Sequence, residues 1–203
     1  MNTMSAEQTQ VSYENARVNL ELSWRFYQMS EVINNMKTRR SIRKYKPDMI
    51  PEDVLNRIIE AGTYAATGMG KQSPIIIAVT NKEIRDKFSK MNAEIMGVDS
   101  DPFYGAPVVL IVLADKARPT YVYDGSLVMG NLMLAAHAEG IGSCWIHRAK
   151  EEFESAEGKA FLKSLGIEGD YEGIGHMCAG DITDWRRAKS QCLRKENYVY
   201  CVK

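Results

Sequence analysis

The chain has 203 residues, 45% of them hydrophobic and 26% charged, which is enough apolar material for the packed core of one ordinary domain. Lys and Arg number 26 against 26 Asp and Glu, so the formal charge is +0; that balance argues against a nucleic-acid footprint and against an anionic membrane surface as partner. The longest apolar runs, residues 74–79 and 106–114, are too short to cross a bilayer, and the N-terminus lacks the basic-then-apolar order of a secretory signal.

In chain order, residues 1–28 read as an N-terminal extension to a domain spanning 29–203. Within it Val18, Leu20, Leu22, Trp24 and Phe26 alternate with polar residues, the period of a half-buried strand. A helix is expected over 31–37. A second starts at Pro51, suited to the first helical position, with Asp53 favouring the positive end of the dipole and Val54, Leu55, Ile58 and Ile59 at helical spacing. Residues 74–80 read as a buried strand and 81–91 as a helix with charged faces. Residues 106–114 give the clearest central strand. Residues 123–139 form a long helix, apolar around most of its circumference and stopped by Gly140, so it belongs at the centre. Strands at 141–146, 174–180 and 198–202 and one polar helix over 151–165 complete the chain. Helices and strands mix without strict alternation, which favours an α+β fold.

Cys144, Cys178, Cys192 and Cys201 form no C-x-x-C pair, as expected of reduced thiols in a cytoplasmic protein. His137, His147 and His176 lack metal-ligand spacing, so no metal site is expected. Three Gly-x-Gly pairs begin a dinucleotide signature, but Ser73, Trp145 and Cys178 stand where its last glycine belongs. No phosphate-binding P-loop and no serine-hydrolase elbow occur either.

Two segments carry the chemistry. Arg39-Arg40-Ser41-Ile42-Arg43-Lys44-Tyr45 places three guanidiniums and a hydroxyl within five residues. Arginine makes bidentate, charge-assisted bonds, which suits a phosphate dianion. In an extended segment Arg39, Ser41 and Arg43 share one face. Taken alone this is a basic loop, open also to an RNA or surface role. The second segment runs from Ala65 through Thr67-Gly68-Met69-Gly70-Lys71-Gln72 to Pro74. Its small residues let backbone approach a flat ligand, and Thr67 and Gln72 can hydrogen-bond it; a plain helix-to-strand connection has the same composition.

Together these segments resemble the nitroreductase family of flavoproteins. The resemblance continues through Asp124-Gly125-Ser126 and Ala135 to Ile146, and through Leu193-Arg194-Lys195-Glu196-Asn197-Tyr198-Val199. It covers residues 29–203, with two departures: Gly70 where the family's turn usually has Asn, and Ile75 where an aromatic often follows the proline. The resemblance implies a nitroreductase-like FMN-binding fold, with an antiparallel-dominated central sheet flanked by helices, in an interlocked homodimer with FMN at the interface. It implies that Arg39, Arg40, Ser41, Arg43 and Arg194 hold the FMN phosphate and ribityl chain. Thr67, Gly68, Gly70 and Gln72 would reach the flavin from the other subunit, and Trp145, Ile146 and His147 would line one flavin face. No catalytic side chain is expected, because the flavin carries the chemistry. The implied activity passes hydride from NADH or NADPH, by a ping-pong mechanism, to a nitroaromatic, quinone or similar small acceptor. The alternatives are a reductive dehalogenase or dehydrogenase on the same fold, a non-catalytic flavin-binding redox module, and, from another class, a nucleic-acid binder.

Overall fold

The computed structural model describes residues 31–183 and 194–202. The expected strand at 18–26 and Cys192 lie outside those residues. Residues 31–38 form helix α1, which belongs to a different unit from the domain that begins at Arg39. That domain contains α2 (Glu52–Thr63), β1 (Pro74–Val79), α3 (Lys82–Met96), β2 (Val108–Asp115) and α4 (Tyr121–Ala138). These are followed by β3 (Gly142–Ile146), α5 (Ala149–Glu154), α6 (Ala156–Ser164) and β4 (Tyr171–Gly180). Among the described residues no helix is long and apolar enough to cross a membrane.

The four strands form one sheet in the order β1-β2-β4-β3, and every pairing is antiparallel. This is the expected α+β arrangement. Strand β2 lies inside the sheet and is buried on both faces, because helices cover both sides. Val109, Ile111 and Leu113 point into one core with Phe88, Phe103, Phe153 and Leu162. Val108, Leu110 and Val112 point into the other, with Ile58, Val128, Met129 and Leu132. Alternating side chains thus serve two cores, and burial of each aliphatic side chain contributes about 1.5–3 kcal/mol.

Several boundaries differ from the expectations for identifiable reasons. Pro51 caps α2 instead of opening it. Helix α3 continues to Met96, because no breaker stands before Gly97, which ends it in the left-handed conformation. The single helix expected over 151–165 is two. Ser155 leaves the helical conformation and its Oγ accepts from Gly158 N at 3.0 Å, starting α6 on a new axis. A side chain at Gly158 would fall 2.2 Å from the Glu152 carbonyl oxygen, so glycine permits this tight junction. Residues 198–202 pair with no strand among the described residues, and Tyr198, Tyr200 and Val202 are exposed; strand propensity needs a neighbouring strand to act on.

Candidate functional site

The basic segment runs along the free edge of β3. Ser41 bridges in parallel to Ser143, and Ile42 N donates to the Ser143 carbonyl at 2.9 Å. Ile42 and Tyr45 are buried and anchor the segment. The Tyr45 hydroxyl donates to the Ile42 carbonyl at 2.6 Å, and burial pushes its pKa up. With Ile42 turned inward, Arg39, Ser41 and Arg43 gather around Cys144. Burial raises the Cys144 thiol, against the opposing influence of Arg43, the Ser41 hydroxyl and Arg39.

Arg39 is the unusual member of this group. Its Nη1 is buried with no hydrogen-bond partner among the described residues, and burial lowers its pKa, with Arg40 adding to the effect. A buried guanidinium nitrogen without an acceptor is costly. Arg40 Nη1 donates to the Arg39 carbonyl at 2.7 Å. Both arginines act on His137, at the end of α4, whose pKa is lowered first by burial and then by their charges. Arg43 is exposed, with its guanidinium 5.9 Å from the Tyr104 ring centroid.

The second segment is built differently. Residues Gly68–Gly70 make one turn of 3-10 helix, and Met69, Gly70 and Gln72 all have positive φ, at 52°, 65° and 49°. Two of those residues carry side chains, so the conformation must be held from outside. Asp124, buried at 3% exposure in the first turn of α4, supplies the hold. One of its oxygens accepts from Gly68 N at 2.9 Å; the other accepts from Ser73 Oγ and Thr120 Oγ1, each at 3.0 Å. Only glycine fits at position 68, where a Cβ would come 2.3 Å from Thr120 Oγ1. Thr67 Oγ1 closes the turn by accepting from Gln72 N at 3.0 Å. The turn borders a cavity of about 1010 Å³ whose walls include Tyr64, Thr67, Gly70, Gln72 and Ile75.

At the end of β3, Trp145 and His147 stack with ring centroids 5.9 Å apart and planes 23° from parallel. Trp145 occupies space left by Gly175 on β4, where a Cβ would lie 2.1 Å from the indole nitrogen. That nitrogen is buried with no hydrogen-bond partner among the described residues. Ile146, between the two rings, is buried in the core on the other side of the sheet, so what it can offer a ligand is backbone.

The structure therefore gathers Arg39, Arg40, Ser41 and Arg43 beside β3, whose end carries Trp145, Ile146 and His147. Thr67, Gly70 and Gln72 line the cavity at the turn, and none of the basic group is among its lining residues. Arg194 is exposed in the irregular stretch 194–202. Sequence reasoning missed Asp124 as the residue that holds the turn; the available signal was a lone carboxylate at the start of an otherwise apolar helix. Asn92, discussed below, gave no signal. Among the described residues no group of three His, Cys, Asp or Glu stands together as metal ligands do.

Comparison with known proteins places this arrangement. The chain belongs to the nitroreductase family, whose sequence model matches residues 36–181. A protein of Methanothermobacter thermautotrophicus, by name an NADH dehydrogenase/NAD(P)H nitroreductase, is 32% identical over 124 residues, covering 57% of this chain and 60% of the relative. A protein of the same name from Archaeoglobus fulgidus is 31% identical over 144 residues, covering 68% and 78%. The chain thus spans less than two thirds of the first relative's length. Among solved structures, a nitroreductase with bound FMN from Bacteroides fragilis superposes with a TM-score of 0.76 at 29% identity, covering 85% of this chain and 99% of that one.

Proposed function

We propose that the chain is an FMN-dependent oxidoreductase that uses NADH or NADPH to reduce a nitroaromatic, quinone or similar small acceptor, working in the cytoplasm as a homodimer with FMN at the interface. The observation that carries this reading is the buried, partnerless Nη1 of Arg39 within a cluster of three arginines and Ser41. A phosphate dianion supplies the acceptor that Arg39 Nη1 lacks among the described residues and reduces the repulsion between neighbouring guanidiniums. FMN bears such a phosphate, and a nitroreductase of 29% identity carries FMN.

In this reading Arg39, Arg40, Ser41 and Arg43 hold the phosphate and ribityl chain, and Arg194 joins them. Trp145 and His147 form an aromatic wall for the isoalloxazine ring, and Ile146 offers backbone N–H. Thr67, Gly68, Gly70 and Gln72 come from the second subunit, since in one chain their cavity excludes the basic cluster. The exposed Tyr64, Met69 and Tyr123 supply apolar surface for that contact. Bound FMN supplies reversible uptake and release of an electron pair with a proton, so the chain needs no nucleophile or triad. Its residues orient the ring, exclude water from one face and leave one space beside it. Nicotinamide and acceptor must use that space in turn, which gives ping-pong kinetics.

The test is stopped-flow mixing of purified holoprotein with each nicotinamide and then with acceptor. The expected result is bleaching of bound flavin by at least one nicotinamide and its recovery with a quinone. Holoprotein that neither nicotinamide bleaches would overturn the reading. Sedimentation of the holoprotein as a monomer at micromolar concentration would overturn the shared site.

A further inference from the structure

Under the Trp145–His147 wall lies a polar network that the proposed chemistry does not use. His176 on β4 and Glu152 on α5 have no exposed surface, in a core otherwise walled by Phe88, Phe103 and Phe153. His176 Nε2 lies 3.0 Å from Glu152 Oε2. The pair is not aligned as a hydrogen bond, and His176 Nδ1 has no partner among the described residues. The other Glu152 oxygen accepts from Nδ2 of Asn92, on α3 and likewise fully buried. That same Nδ2 donates to the backbone carbonyl of His147 at 2.8 Å, and Asn92 Oδ1 accepts from Arg148 Nε at 3.0 Å. The orientation of the amide is unambiguous. Two acceptors on one side require the NH2, and a guanidinium on the other requires the oxygen.

Apolar side chains of the same volume would fill this space with less desolvation cost. What the network provides is direction. Helix α3 is tied to the two residues at which the chain leaves β3 and turns into α5. Arg148 makes that turn at φ 77°, a conformation rare for a residue with a side chain and retained where its surroundings over-determine it. We infer that Asn92 is a positioning residue for the ligand-facing end of β3. It fixes the His147 carbonyl and Arg148, and so sets the angle at which Trp145 and His147 are presented, while Glu152 holds Asn92 in place. The inference rests on the reading of Trp145 and His147 as the flavin wall.

The test compares Asn92→Ala with Met91→Ala, which removes buried packing from the same helix but none of the hydrogen bonds of this network. In flavin-free protein, hydrogen exchange at amides 145–149 should accelerate in Asn92→Ala and remain near wild type in Met91→Ala. In holoprotein, Asn92→Ala should shift the midpoint potential and visible spectrum of bound FMN. It should also raise KM for the nicotinamide about three- to tenfold, the effect expected from losing the one of its three hydrogen bonds that reaches the His147 carbonyl. Its affinities for FMN and riboflavin should fall by the same factor, because the effect is at the ring and not the phosphate. Unchanged exchange at 145–149, an equal acceleration in Met91→Ala, or an unmoved potential would each overturn the inference. If wild-type protein takes up no FMN, the proposed function fails, and the exchange measurement on flavin-free protein still decides whether Asn92 positions this turn.

Discussion

The basic segment at 39–43 and the glycine turn at 67–72 are the two regions assigned to one ligand, and they prepare for it in opposite ways. The basic segment leaves its needs open. Arg39 has a buried nitrogen without an acceptor, and like charges crowd Arg39, Arg40 and His137. The glycine turn is satisfied from within. Asp124 takes three hydrogen bonds, and Thr67 closes the loop on Gln72. A segment that binds through charge can be poised and unstable until its ligand arrives. One that binds through shape must hold its shape beforehand, and here a buried carboxylate provides the support.

Substitutions should separate these two kinds of site. The largest effect is expected for Asp124→Ala, which strands the Gly68 amide and the Ser73 and Thr120 hydroxyls. Loss of about 3 kcal/mol is expected, or a fall in Tm of about 6–12 °C for a chain of this size, measured by calorimetry on flavin-free protein. Arg39→Met should do the reverse. Its flavin-free form should melt no lower than wild type, since a buried orphan is replaced by an apolar chain. FMN affinity should drop about ten- to a hundredfold for one lost charge-assisted contact. Riboflavin, which has no phosphate, should bind equally to both proteins. Should Arg39→Met prove as destabilising as Asp124→Ala, or weaken riboflavin as much as FMN, the contrast between the regions collapses.

The same contrast explains what could be read from the sequence. The basic segment was visible because its message is compositional: three arginines and a serine within five residues suit a phosphate in any extended geometry. The central place of β2 was visible because an unbroken apolar run reports burial directly, whereas α4, expected to be buried around most of its circumference, buries one face through Val128, Met129 and Leu132 and leaves Val122, Tyr123 and Leu127 exposed. Asp124 was not visible as a clamp: Thr120 is four residues away in the same helix start, but Gly68 and Ser73 are more than 50 residues away and are brought to it by the packing of α4 against β1 and α2. Asn92 lies one residue beyond the charged helix expected over 81–91, and its partners are 55 to 60 residues away. The break at Ser155 was missed because serine is tolerated inside helices, and only its side-chain bond to Gly158 makes it a cap. The 198–202 segment misled because propensity says nothing about whether a neighbouring strand exists.

The smallest expected effect is electrostatic and concerns the region where Arg39 and Arg40 act on His137. His137 has its pKa lowered by burial and by Arg39 and Arg40. As pH falls through the ordinary imidazole range, the unfolded chain takes up a proton at this position that the folded protein resists, so flavin-free protein loses stability in that window. A phosphate dianion bound by Arg39 and Arg40 cancels part of their field and should raise the His137 pKa. Binding of FMN is then accompanied by proton uptake between the two pKa values, and by linkage the affinity for FMN increases modestly as pH falls through that interval. NMR titration of the His137 ring protons, with and without FMN, measures this directly. Riboflavin supplies the control, since it fills the ring site without bringing the charge. An upward shift with FMN and none with riboflavin locates the phosphate beside the two arginines. Equal shifts with both ligands, or none with either, would mean that the charge cluster beside β3 is balanced by something other than the cofactor phosphate.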